Sequence, residues 1–86
     1  MPLDWKSVSA DHVRQASGLI IARGNPPHNK GLVVFVDDHV LSAKDTLRVA
    51  YRLAKGLPSD AEVNFASGDA TLNTLRRLGF RAERIN

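Results

Sequence analysis

Cysteine is absent from this 86-residue chain, which holds one methionine, one tryptophan and one tyrosine. Without thiols, disulfide frameworks, thiolate zinc sites and cysteine nucleophiles are excluded together, and a reducing, cytoplasmic home is expected. No apolar run approaches the roughly 18 residues of a membrane span. The opening MPLDWKSVSADHV has neither the basic start nor the apolar stretch of a signal peptide, so no membrane partner is expected. Aromatic residues are only 6% of the chain. Trp5, Tyr51 and the phenylalanines all fall where a core would take them, which leaves little for stacking on single-stranded bases.

What is present is 43% hydrophobic and 24% charged residues, the proportions of one folded domain over residues 1–86. A domain of this length buries roughly 60 to 65% of its unfolded surface, which leaves little material for a catalytic apparatus with a cofactor domain. The net charge of +3 is unevenly placed. Cations and carboxylates balance over residues 1–43. The surplus lies beyond them, in Lys44, Arg48, Arg52, Lys55, Arg76, Arg77, Arg81 and Arg84 against Asp45, Asp60, Glu62, Asp69 and Glu83. One basic end suits a nucleic-acid module, and equally a solvated Lys/Arg surface.

The apolar pattern orders the chain as α-β-β-α-α-β. Ser9 reads as the N-cap of a helix over 10–23, with Val8 and Val13 as a hydrophobic staple, Val13, Ala16 and Ile20 as its buried stripe, joined by Trp5, and Gly24 as its stop. Residues 24–31, GNPPHNKG, form a loop. LVVFV and HVL then make a hairpin, strands 32–36 and 39–41, with Asp37 and Asp38 at the tip. Ser42 caps a helix over 43–55 that ends at Gly56. A third helix starts near Gly68 or Asp69, carries Leu72, Leu75 and Leu78 inward and stops at Gly79. The tail FRAERI alternates, Phe80, Ala82 and Ile85 on one side and Arg81, Glu83 and Asn86 on the other, as a strand able to join the hairpin. The expected fold is a compact α+β domain with a small three-stranded antiparallel sheet.

Catalytic constellations are missing. Asp37, Asp38 and His39 are the densest ligand cluster, but three successive residues on a hairpin tip point in different directions, and the aspartates already serve the turn. A PD-(D/E)xK nuclease needs an acid two residues before its lysine, where Ser42-Ala43-Lys44 has serine. No serine sits in a nucleophile elbow, and the two prolines of residues 24–31 remove the N–H donors that a phosphate loop uses. No enzyme activity, metal or cofactor is expected.

Two stretches bear on binding. On the second helix Lys44, Arg48, Arg52 and Lys55 form one line at 3.6 residues per turn; they either solubilise the exposed sector or follow a phosphate backbone. Ser67 and Gly68 open the third helix, where unpaired N–H groups make an anion seat unless Ser67 or Asp69 simply caps it. Arg76 and Arg77 lie farther along that helix.

The motifs W-x-x-V-S-x-x-H-V, V-D-D-H-V-L-S-A-K-D-T-L-R-V-A-Y-R-L-A-K-G and F-A-S-G-D-A-T-L-N-T-L-R-R-L-G-F, taken in order, resemble the small amino-terminal head domain of McrA-type, HNH-containing restriction endonucleases over most of the chain. Lys44, Ser67, Gly68 and the Leu78-Gly79-Phe80 ending match that family's motif positions. Asp38 stands where the family has the hairpin glycine, Ser42 and Ala43 where it has prolines, and Asp69 where a second glycine is usual. The resemblance implies a DNA-associated role in restriction or defence beside a nuclease, with nothing catalytic to carry over. The expected function is therefore a non-enzymatic DNA-binding or DNA-associated module, contacting phosphates through Lys44, Arg48, Arg52, Lys55, Arg76 and Arg77 with Ser67 and Gly68 as an anion seat. The alternative is a protein-interaction domain that docks an acidic partner, such as a nuclease or another defence protein.

Overall fold

A computed structural model describes residues 4–24, 31–65 and 68–85. Its elements are a single 3-10 turn (Trp5–Ser7), α1 (Ala10–Ala22), β1 (Gly31–Val36), β2 (His39–Ser42), α2 (Ala43–Lys55), α3 (Asp69–Arg77) and β3 (Arg81–Ile85). The expected α-β-β-α-α-β order is therefore the observed one. The sheet is antiparallel with order β2-β1-β3, so the tail does close onto the hairpin, beside its first strand. Most of the expected loop, residues 25–30, lies outside the described residues, as do Ser67 and Asn86.

Local chemistry accounts for each boundary. Ser9 Oγ accepts from the His12 backbone N–H, and the Ser9 N–H donates to His12 Nδ1 at 3.0 Å. This is a capping box in which histidine takes the place usually held by Glu or Gln. Val8 and Val13, the two arms of the staple, are both buried in the core. The hairpin turns through Asp37, whose φ of 54° is the left-handed conformation that aspartate tolerates. Ser42 Oγ accepts from the Asp45 N–H and starts α2 where β2 ends.

The far end of α2 is a Schellman motif. Gly56, at φ 64°, lets its own N–H reach the Leu53 carbonyl while the Leu57 N–H bonds back to that of Arg52 at 2.8 Å. The same bonds throw Leu57 back over the last turn of the helix.

The core lies between one face of the sheet and the helices. Val34, Val36, Leu41 and Ala82 face it from the strands, Leu47 and Ala50 from α2, Val13, Ala16 and Ile20 from α1, and Leu72 and Leu75 from α3. The Val, Leu and Ile side chains among them stabilise by roughly 1.5 to 3 kcal/mol each when fully buried.

The register corrects two assignments of side. Ala82 pairs with Val34 and Ile85 with Gly31, so Ile85 lies with Arg81 and Glu83 on the outer face rather than beside Ala82. Phe35 belongs to that outer face too, where the Arg81 guanidinium stacks 4.6 Å from its ring centre. Leu78 is half-buried, short of the full burial of Leu75.

Four hydroxyl residues that the apolar pattern passes over, Ser17, Thr46, Thr71 and Thr74, are also buried. Ser17 and Thr74 donate to carbonyls of their own helices, at 2.7 and 2.8 Å. Thr46 and Thr71 have no such partner among the described residues. A buried hydroxyl without a partner costs about 1 to 3 kcal/mol of desolvation. Thr46→Val, which keeps the shape and removes the hydroxyl, is expected to raise the unfolding free energy by about 1 kcal/mol in a urea melt. A lowered midpoint would contradict this account of the site.

Candidate functional site

The cationic line of α2 is the starting point, because the structure gives each of its members a partner inside the molecule. Arg52 Nε donates to the Ala61 carbonyl at 2.7 Å, and Arg48 Nε to the Val63 carbonyl at 3.3 Å. Lys44 Nζ lies 5.8 Å from the centre of the Phe65 ring. Four-residue steps along α2 thus meet two-residue steps along residues 61–65, running in the opposite direction.

The two spacings agree. Four residues of helix rise about 6.0 Å, and two residues of extended chain advance about 6.6 Å. Covered and exposed positions alternate through residues 61–65, as in an extended chain laid on a surface. The segment has neither helix nor strand of its own, and the side chains of α2 strap it down.

The strap carries Phe65 to Trp5, and the two rings meet edge-on at 5.0 Å. Trp5 meets Tyr51 in the same manner at 5.1 Å, and the Asp4 N–H donates to the Tyr51 hydroxyl. The remaining member of the line, Lys55, bonds to the Asp4 carboxylate at 2.9 Å. That bond first, and the one from Ser7 Oγ second, hold the Asp4 carboxyl below its ordinary 3.8, while the same contact raises the Lys55 ammonium above its ordinary 10.5.

Placing these segments together changes the electrostatics of the edge. Arg48 also pairs with Asp45 at 2.9 Å, and Lys55 brings Asp4. Glu62 of the strap and Asp60 just before it are exposed. Of the four cations, Arg48 and Lys55 are thus paired with carboxylates, while Lys44 and Arg52 meet none among the described residues.

The other expected contacts lie on separate elements. Arg76 Nε is bonded to the Ala82 carbonyl at 2.8 Å and ties α3 to β3, while Arg77 is exposed at the end of α3. Gly68 is the N-cap of α3, at φ 149° and ψ −157°, a region essentially reserved for glycine. Asp69 is not the cap but lies in the first turn, where its carboxylate already meets the positive end of the helix and stands 3.8 Å from Arg84. Ser67 is outside the described residues. At the hairpin tip no set of three His, Cys, Asp or Glu side chains gathers as metal ligands among the described residues.

One surface was not marked by the sequence pattern. Leu19, Arg23, Val49, Arg52, Leu53, Leu57 and Ser59 line a cavity of about 90 Å³ where the C-terminal parts of α1 and α2 meet. Leu19 leaves the buried stripe of α1 and is 45% exposed, and Leu57, turned back by the Schellman motif, is 39% exposed. The lining includes two arginines and no carboxylate. Both arginines sit near helix C-termini, the favourable sign for the dipole. The signals available beforehand were an apolar residue directly after a helix-ending glycine and a leucine off the stripe.

Comparison with protein-family models, with curated proteins and with solved structures finds no match.

Two expectations follow from the strap and its ion pair. Arg52→Met keeps the aliphatic stem but removes the donor, and is expected to lower stability by about 1 to 2 kcal/mol and to shift the fluorescence of the single tryptophan through Phe65. An unchanged melt and spectrum would show that the strap holds without Arg52. For the pair, the Asp4 contribution is present above its unfolded value and lost as pH falls through the lowered folded value. The Lys55 contribution is present below its unfolded value and lost as pH rises through the raised one. The stability difference between the native chain and Asp4→Asn should therefore be flat around neutrality and shrink below about pH 4 and above about pH 10.5 in thermal melts across pH.

Proposed function

We propose that this domain is a non-enzymatic protein-interaction module whose working surface is the groove between α1 and α2, and that it docks an acidic partner. The observation that carries this reading is the lining: four aliphatic side chains, from Leu19, Val49, Leu53 and Leu57, beside Arg23 and Arg52, with no carboxylate among them. A concave aliphatic surface with a few polar groups at its margin suits an anchor side chain from another protein. The apolar area itself gives nothing to a phosphate backbone, which is held by charge.

A DNA-associated role, implied by the resemblance to the head domains of McrA-type endonucleases, is the second reading. It draws support from Lys44, Arg52, Arg76 and Arg77, none of which has a carboxylate partner among the described residues. Those four come from two helices, and the pairing of Arg48 with Asp45 and of Lys55 with Asp4 weakens the part of that surface meant to follow phosphates.

Position-specific photo-crosslinking in the native cell separates the two. A benzophenone side chain at position 57 is expected to yield a discrete protein adduct, and one at position 77 to yield none with nucleic acid. Adducts to DNA from position 77, with none to protein from position 57, would overturn the docking reading in favour of the DNA one.

A further inference from the structure

We infer that the partner's docking segment is an acidic–aliphatic peptide, in which one Leu or Val side chain enters the cavity and flanking carboxylates are taken by Arg52 and Arg23. This rests on the groove being the docking surface and adds the chemistry of what it holds. The size of the cavity limits the anchor. An apolar void of about 150 Å³ takes up a six-carbon ring, so the cavity of about 90 Å³ suits a side chain of roughly three to four carbons. Four of its seven lining side chains are aliphatic, which matches a branched aliphatic group, and its volume falls short of what a six-carbon ring takes up.

Arg52 is already ordered at the cavity. Its Nε is committed to the Ala61 carbonyl, so the guanidinium is fixed at the edge of the cavity by a bond that the partner does not have to break. The terminal nitrogens meet no carboxylate among the described residues. A guanidinium held in this way is prepared for a carboxylate, since the ordering that usually opposes such a contact has already taken place on folding. Arg23 lines the same cavity from the end of α1, so an aliphatic anchor seated there has a cation from each helix beside it. The complement of that arrangement is a carboxylate on each side of one short aliphatic residue.

The test is an amide-resolved NMR titration of the full chain with an end-blocked peptide containing Glu-Glu-Leu-Glu. Shifts are expected at residues 19–23 and 49–59. Replacing the peptide leucine by alanine should weaken binding at least about tenfold. Replacing its glutamates by glutamine, or making Arg23→Glu in the protein, should weaken it about fivefold each, with the native peptide's affinity falling as salt rises. Arg23 is exposed and bonded to no carboxylate among the described residues, so that variant keeps the fold, which its amide spectrum verifies. Absence of groove shifts, or equal binding by the alanine or glutamine peptides, overturns the acidic–aliphatic assignment. A protein adduct at position 57 together with either of those results leaves the docking reading in place and removes only the peptide chemistry; loss of both removes both.

Discussion

Two guanidinium groups, four residues apart on one helix, hold two carbonyls, two residues apart on a segment without regular structure. Much of the rest depends on that coincidence of spacing. The connection between α2 and α3 has no ladder of its own, and a loop left free at that point would expose Val63, which instead is buried in the core. By fixing residues 61–65 along α2, Arg48 and Arg52 also fix Phe65, which meets Trp5, which meets Tyr51. The amino-terminal turn, the strap and the outer flank of α2 are therefore one assembly. Its two arginines act as hydrogen-bond donors to the backbone, where a guanidinium is worth more than in a solvated ion pair.

The sequence made the elements of this fold readable because each boundary rests on a residue with a local chemical reason. Ser9, Ser42 and Gly56 do at close range what their side chains, or the lack of one, allow, and the hairpin follows from two short β-branched runs separated by two aspartates. The side of Ile85 was not readable from the pattern of FRAERI, because attention to hydrophobicity placed it with Ala82 against strict alternation; pairing with Gly31 restores the period of two. The strap was unreadable for a different reason. Its acceptors are carbonyls, which every residue possesses, so nothing in the letters of residues 61–65 announces a partner for Arg48 or Arg52. The groove likewise needs two helices and a helix-ending turn in their mutual positions before Leu19 and Leu57 share a cavity.

The residues behind the family resemblance have evident work within the domain. Lys44 lies over the Phe65 ring, Gly68 supplies a backbone conformation closed to other residues, and the Leu78-Gly79-Phe80 ending turns the chain from α3 into β3, with Leu78 and Phe80 packed against the core. A motif composed of such positions describes how a chain folds. It speaks to function only by analogy, because one fold hosts many activities and the site decides among them.

Folding changes what the charges of α2 can do. Along α2 alone, Lys44, Arg48, Arg52 and Lys55 resemble a track for phosphates, but long-range attraction depends on the summed field, and on that edge Asp45 is bonded to Arg48 and Asp4 to Lys55. A polyanion approaching that edge meets carboxylates as well as cations. Arg48 is already bonded through Nε to the Val63 carbonyl and through one terminal nitrogen to Asp45, so a phosphate there competes with a carboxylate for the same guanidinium. The groove imposes no such exchange. There Arg52 keeps its bond to Ala61 and still offers its terminal nitrogens, and the aliphatic walls add area that leaves water when an anchor enters. The proposed docking at the groove would leave the strap intact.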